Sequence, residues 1–223
     1  LFYGSLDALG TLTRTPKPSL TYLEHYVFDT KSVSEANNAD GVIDVGETVD
    51  LAITIRNHWG KADNVTVKID ALSPAGIPDP YVEFITDTVE YGAIGHFSID
   101  DNGLVTDSGG AVTGVNNPFK IRVSQTTPND HVVSVNVTMT ARNGFDANDP
   151  TVYCSAGSFW LIVRRGKVLP RLISSDMILT KDDYWIIPDA TLIEKGATVT
   201  VEPGTQIQFW GSDPEDPYAE TQI

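Results

Sequence analysis

The 223-residue sequence contains a single cysteine, Cys154, so no disulfide can form within it. Apolar neighbours in the stretch TVYCSAGSFWLIV predict a strand with a buried thiol. Basic residues are also scarce, because 15 Lys and Arg stand against 30 Asp and Glu, which gives a net charge of −15. Such an acidic chain opposes binding to nucleic acid or to anionic lipid, and a cation is the more natural partner.

The sequence also lacks a run of about 18 apolar residues, a signal peptide and a lipidation motif. We therefore expect no direct insertion into a membrane. The first residue is Leu1 rather than methionine, and the last residues, YAETQI, follow directly on strand-like sequence. These ends predict a processed or partial piece of a longer polypeptide, whose remaining parts could carry an export signal or an anchor.

Recognisable catalytic motifs are missing as well. The four histidines show no HExxH spacing, no serine lies in GxSxG, and no Walker or Rossmann glycine pattern occurs. Neighbouring carboxylates are common, but so acidic a composition produces them in any case, and glycosidase pairs are recognised by their separation in space. The sequence therefore indicates no catalytic residue, and we expect no enzymatic activity.

Apolar and polar residues alternate with a period of two, and helical periodicity is almost absent, so the sequence predicts an all-β protein. The same pattern returns in VDLAITIRN, NVTVKID, PFKIRVS and HVVSVNVTMT, between turn clusters such as LSPAGIPDP and TDSGG. Short strands at this spacing are typical of an immunoglobulin-like β-sandwich. We place that sandwich at residues 18–166, after a linker or the end of a preceding segment at residues 1–17.

The sequence changes character after residue 166, where short apolar strands are separated by the turns PDAT, EKGAT and EPGTQ. The stretch ATVTVEPGTQIQFWG resembles the opening rungs of right-handed parallel β-helix proteins. A rung of such a solenoid buries its apolar side chains only against the next rung. The resemblance implies that residues 167–223 are the first rungs or the cap of a β-helix, with four side chains pointing inward: Val199, Val201, Ile207 and Phe209. A hairpin of the sandwich is the alternative.

The stretch NNADGVIDVGE places many side-chain oxygens and two glycines just before the strand VDLAITIRN. Ca²⁺ prefers six to eight hard oxygen ligands, which a short acidic loop supplies. Compared with an EF-hand loop, Ala36 occupies the first ligand position, although the following positions match: Asn38, Asp40, Gly41, Ile43, Asp44 and Glu47. The pattern DGxxDxGE before a long strand also resembles the immunoglobulin-like domains of secreted bacterial and archaeal surface proteins, where it looks like a structural calcium clamp.

That resemblance implies a Ca²⁺ site with four side-chain ligands, one backbone carbonyl and one further oxygen. The side chains are those of Asn38, Asp40, Asp44 and Glu47, the carbonyl lies near Val42, and the further oxygen comes from Asn37. Gly41 and Gly46 permit the backbone path that such a loop needs. The alternative is a solvated turn without metal, whose Asn and Asp side chains bond to their own backbone.

Three further features are secondary candidates. The acidic stretches NGFDANDP and DPEDPYAE could hold a cation, although hydrated acidic turns are the favoured interpretation of both. Trp160 and Trp210 are predicted to face outward, where they could contact carbohydrate or protein. Two sequons place glycosylation acceptors at Asn64 and Asn136, on predicted solvent-facing positions of strands.

Together these observations predict an extracellular or cell-surface module with a structural or adhesive role, stabilised by calcium. Its expected partners are neighbouring domains, copies of itself or surface glycans, and nucleic acid is not among them. One alternative is an accessory region of a β-helix enzyme that degrades polysaccharides, with its active site outside this chain. Another is a stalk associated with a peptidase.

Overall fold

The computed structural model describes residues 15–73, 75–187 and 191–209, and all regular structure in these ranges is β-strand. The predicted all-β class is therefore confirmed. No helix in the described ranges is long and apolar enough to cross a membrane. The first twelve strands are β1 Leu20–Phe28, β2 Ile43–Asp44, β3 Thr48–Asn57, β4 Ala62–Asp70, β5 Val82–Thr86, β6 Thr88–Ile94, β7 Ile99–Asp101, β8 Leu104–Thr106, β9 Val112–Val115, β10 Phe119–Val123, β11 His131–Asn143 and β12 Tyr153–Arg164.

These strands form two five-stranded sheets and one separate two-stranded ribbon. One sheet has the order β1-β3-β10-β5, with β7 also paired to β3, and the other has the order β2-β12-β11-β4-β6. The pairs are antiparallel, except that β2 runs parallel to β12, with Ile43 opposite Val163. Strands β8 and β9 form the ribbon.

The two sheets share one hydrophobic core, because the alternating apolar residues of their strands are buried together. The side chains predicted to share a face of β3 are fully buried: Val49, Leu51, Ile53 and Ile55. Partners from the other sheet include Val65, Val67 and Ile69 of β4, together with Val133, Val135, Val137 and Met139 of β11. Burial of this apolar area is the main force holding the sheets together.

After Arg164 the strands are short, and they pair in parallel with one another at intervals of about 20 residues. The strands are β13 Lys167–Val168, β14 Leu172–Ile173, β15 Met177–Leu179, β16 Tyr184–Ile187, β17 Leu192–Ile193, β18 Val199–Val201 and β19 Gln206–Phe209. Their pairings are β13-β16-β19, β14-β17 and β15-β18. A second, smaller core forms here from Leu169, Ile173, Leu179 and Trp185.

Two of the four side chains predicted to point inward in this region are not covered. Val199 and Ile207 pack against the smaller core, whereas Val201 and Phe209 are exposed, the latter by 71 %. The register places Val201 opposite the buried Leu179, so it lies on the predicted face of the strand. Val201 lies on β18, the last described strand of the pair β15-β18. A neighbouring strand therefore covers its side chain on one side only.

The prediction of a buried thiol at Cys154 is wrong, because this side chain is exposed. In β12 the core-facing residues are Phe159, Leu161 and Val163, so the even-numbered positions face solvent. Trp160 lies on that outer face and is 58 % exposed, as the alternation predicted. Trp210 lies outside the described residues.

Candidate metal centre

The acidic loop, residues 37–47, is closed at its base by one buried amide. The Asn37 side-chain nitrogen donates to the carbonyls of Thr30 and Thr48, over 3.1 and 2.7 Å. Its oxygen accepts the Thr48 backbone N–H over 3.1 Å. Asn37 therefore ties the start of the loop to the start of β3, and its oxygen is already used by a backbone donor.

Within the loop, the backbone follows the path that the glycines were predicted to permit. Gly41 and Gly46 both have φ of 83°, and Ala39 also has a positive φ of 63°. The side-chain oxygens of Asn38 and Asp40 accept the N–H groups two residues later, those of Asp40 and Val42, over 2.9 Å each. These local bonds are the ones that the polar-turn alternative predicts.

The two acids at the end of the loop, however, are not solvated. Glu47 is only 1 % exposed, and its two oxygens accept the backbone N–H groups of Asn38 and Asp44, over 3.1 and 2.9 Å. Asp44 is 8 % exposed and accepts a hydrogen bond from the Asn38 side-chain amide over 2.9 Å, and the nearby backbone of Gly166 lowers its pKa. A solvated turn would leave these carboxylates in water.

A fourth carboxylate, which the sequence analysis missed, lies at the same place. Asp29 follows β1, is 7 % exposed and accepts the Asp40 backbone N–H over 3.2 Å. In the antiparallel pair of β1 and β3, Phe28 stands opposite Asp50, which brings the next residue beside the end of the loop. No local pattern in the sequence places Asp29 there, because its position depends on the pairing of β1 with β3.

Burial and mutual repulsion make these carboxylates costly to ionise. Burial, followed by repulsion from Asp40 and Glu47, raises the pKa of Asp44 to about 7. Burial likewise raises the pKa of Glu47 to about 7, with Asp29 and Asp40 contributing repulsion. Burial also raises the pKa values of Asp29 and Asp40. A nearby positive charge would remove much of this cost.

Two buried oxygens of the cluster lack a hydrogen-bond partner, namely Oδ1 of Asp29 and Oδ1 of Asp44. Buried polar atoms are normally bonded, so each unpartnered oxygen calls for an explanation. Within the described ranges, no three His, Cys, Asp or Glu side chains stand in a metal-binding arrangement. The loop carboxylates turn toward backbone N–H groups instead, and side-chain rotation would be needed before they converged on one ion. In donor type, these hard oxygens fit Ca²⁺.

The predicted ligands are thus neighbours in space, although they are not arranged around one point. Asn38, Asp44 and Glu47 bond directly to one another or to one another's backbone, and Asp40 bonds to Asn38. Val42 is buried between Asp40 and β2, and its N–H bonds to Asp40.

The other candidates are placed as follows. Asn64 is exposed and has a positive φ of 49°, whereas Asn136 is half-buried and its amide donates to Asp70 and to the Leu72 carbonyl. In the stretch NGFDANDP, Asn143 and Tyr153 both donate to Asp149, over 3.2 and 2.6 Å. The stretch DPEDPYAE, residues 213–220, lies outside the described residues.

Comparison with known proteins gives no relative in sequence: no family model matches, and no curated protein matches. Among solved structures, the periplasmic chaperone SfaE aligns with 10 % identity and a TM-score of 0.30, over 60 % of this chain and 61 % of that one. A family 123 glycoside hydrolase from Clostridium perfringens aligns with 11 % identity and a TM-score of 0.29, over 77 % of this chain and 30 % of that one. The chain spans less than two thirds of either structure, and likenesses this weak carry no argument.

Proposed function

We propose that this chain is a non-enzymatic, extracellular module of a larger surface or secreted protein, with a structural or adhesive role and a calcium ion in the acidic loop. The observation that carries the proposal is the pair of buried, unpartnered carboxylate oxygens on Asp29 and Asp44. Calcium is plentiful outside cells, where a structural site of modest affinity is filled. Bound calcium would neutralise the buried carboxylates and accept their free oxygens as ligands.

The finer architecture that we propose is an immunoglobulin-like sandwich at residues 18–166, followed by the first rungs of a β-helix from residue 167. The single core between two mainly antiparallel sheets supports the first part. Parallel pairings at intervals of about 20 residues support the second, because each turn of a β-helix adds one strand to each of its faces.

The ligand set of the proposed site is that predicted from the sequence, without Asn37, whose oxygen accepts the Thr48 N–H, and with Asp29 added. Side chains of Asn38, Asp40, Asp44 and Glu47 and the carbonyl of Val42 would supply the remaining oxygens. Calcium that binds only the folded chain stabilises it by mass action, so its effect is a higher melting temperature rather than chemistry on a substrate.

The proposed partners are neighbouring domains, copies of this chain or surface glycans. The net charge of −15 disfavours nucleic acid and anionic membranes. The exposed Trp160 offers a flat aromatic face of the kind on which a sugar ring packs.

Thermal unfolding in EGTA and in excess Ca²⁺ tests the calcium site. We expect Ca²⁺ to raise the melting temperature of the native chain, and the double substitution Asp40→Ala, Glu47→Ala to abolish that rise. The matched control is Asp107→Ala, because Asp107 also accepts two backbone N–H groups in an acidic turn, over 2.8 and 3.0 Å, away from the loop. Equal melting temperatures with and without Ca²⁺ would refute the site.

The alternative is that the chain is an accessory region of a β-helix enzyme that degrades polysaccharides, with its active site outside these residues. The parallel pairings after Arg164 are the observation that favours it. The measurement is the viscosity of acidic and neutral polysaccharide solutions in the presence of a longer polypeptide that includes this chain. A fall in viscosity would support the enzyme, and unchanged viscosity would favour the structural module.

A further inference from the structure

The acidic loop does not lie at a free end of the sandwich, because it faces the first parallel strands across a cavity of about 450 Å³. One side of the cavity is formed by Asn38, Asp44 and Glu47 of the loop. The other side is formed by Arg165 and Gly166 between β12 and β13, by Lys167 at the start of β13, and by Asp182, Asp183 and Tyr184 around the start of β16. Both parts of the chain therefore line the same cavity.

A continuous set of contacts already joins these two parts. The backbone of Gly166 lies close enough to the Asp44 carboxylate to lower the pKa of that group. Gly166 in turn packs so closely on β16 that a Cβ there would lie 2.9 Å from the Ile186 side chain and 3.0 Å from the Tyr184 carbonyl oxygen. The position of the loop is thus linked to the position of β16 through one tightly packed residue.

Four carboxylates and two basic side chains, those of Arg165 and Lys167, line the cavity, so its walls carry a net negative charge that favours a cation between the two parts. Asp44 and Glu47 stand on the loop side, and Asp182 and Asp183 stand on the other. Asp183 is held by Lys167 and Thr180, over 2.9 and 2.6 Å. Asp182 is exposed at the cavity rim, and Asp44 is nine-tenths buried with its Oδ1 unpartnered. A bridging ion could therefore bind these two carboxylates with the smallest loss of existing contacts.

We propose that the calcium ion of the acidic loop is shared with the first parallel turn through Asp182, so that calcium binding holds the sandwich and the parallel strands in one fixed arrangement. This inference rests on the calcium site proposed above, and it adds a role to that site. The ion then acts as a joint between two parts of the chain as well as a clamp within one loop.

Hydrogen–deuterium exchange of the whole chain, with calcium chloride or EGTA at one fixed pH, tests the proposal. We expect Ca²⁺ to slow amide exchange in two separate segments, residues 37–47 and residues 166–187. In Asp182→Asn, Ca²⁺ should still protect the loop, whereas protection of residues 166–187 should be lost. The Kd for calcium should also weaken by about 3- to 10-fold, because one charged oxygen ligand is removed. The matched control is Glu194→Gln, which removes an exposed charge from the same region away from the cavity.

The possible outcomes distinguish failure of the shared site from failure of the calcium site in the acidic loop. Protection of the loop alone in the native chain would overturn the shared site and leave the calcium clamp intact. No protection of either segment would overturn the clamp and, with it, the shared site. An Asp182→Asn chain that matches the native chain in both protection and Kd would also overturn the role of Asp182.

Discussion

The rings of His25 and Phe159 stack with their centroids 4.0 Å apart and an angle of 20° between their planes. His25 belongs to β1 and Phe159 to β12, so the stack joins the two sheets. The Tyr22 hydroxyl lies 2.7 Å from His25 Nδ1 and completes the surroundings of the imidazole. Burial in this position lowers the pKa of His25 to about 4.

This lowered pKa predicts a loss of stability in mild acid. An ordinary histidine in the unfolded chain takes up a proton near pH 6.5, before His25 of the folded chain does. Stability from this source is therefore complete above about pH 6.5 and is lost as the pH falls toward 4. We expect a loss of about 2 kcal/mol at pH 5. His25→Phe keeps a stacking ring without the titration, so the pH dependence of its unfolding free energy should be weaker than that of the native chain. Parallel pH profiles for the two proteins would contradict the prediction.

Replacing Asp44 by asparagine should have opposite effects with and without calcium. The amide keeps the size of the side chain and an oxygen that can accept the Asn38 hydrogen bond, but it removes a buried charge. We therefore expect Asp44→Asn to melt a few degrees higher than the native chain in EGTA at pH 8, since about 1 kcal/mol shifts Tm by about 2–4 °C at this size. In Ca²⁺ the rise in melting temperature should be at least halved.

A suitable control for this substitution is Asp50→Asn. Asp50 is paired with Lys120 over 2.7 Å, so its loss should lower the melting temperature equally in both buffers. If Asp44→Asn instead lowered the melting temperature by the same amount in EGTA and in Ca²⁺, Asp44 would be a structural acceptor only.

Asn37→Ala should destabilise the chain whether or not calcium is present. The substitution removes three hydrogen bonds and leaves the buried backbone N–H and carbonyl of Thr48 without their Asn37 partner, whereas the Thr30 carbonyl keeps the N–H of Val33. We expect the free energy of unfolding to fall by about 2 kcal/mol. The measurement is chemical denaturation in EGTA and in Ca²⁺, with the exposed Asn148→Ala as the control, which should change it by less than about 0.5 kcal/mol.

Cys154 should react with a thiol reagent in the folded chain. Because the side chain is exposed on the outer face of β12, we expect its labelling rate in native buffer to approach that in denaturant. The control is the variant Phe159→Cys in a Cys154→Ser background, where the thiol faces the core and should react only after opening. Protection of Cys154 in native buffer would show that the outer face of β12 is covered in solution.

Period-two alternation predicted which faces of the long strands are buried, because a half-buried strand must present every second residue to the core. The same rule correctly placed Trp160 outside. The prediction of a buried thiol at Cys154 was wrong because the apolar neighbours of Cys154 were given more weight than its position in that alternation. The local pattern was the better guide, since Phe159 and Leu161 of the same strand already define the inner face.

The metal loop was predictable in part for a related reason. Asn38, Asp44 and Glu47 lie within one short stretch, and its glycines allow the turns that bring their side chains together. Asp29 and Asp182 reach the same place only through the pairing of β1 with β3 and through the packing of Gly166 on β16. Contacts between distant segments depend on the register of whole sheets, and no local pattern in this sequence encodes that register.

The parallel pairing of β2 with β12 also has a consequence for the order of folding. Ile43 finds its partner only at Val163, more than a hundred residues later, whereas the strands after Arg164 pair with neighbours about 20 residues away. Closing a long loop costs more entropy and proceeds more slowly than closing a short one. During synthesis from the N-terminus, β2 cannot pair with β12 until most of the sandwich has been synthesised. The acidic loop contains β2, and we therefore expect it to be among the last parts of the chain to fold. Only the ions in solution at that stage of folding can bind to it.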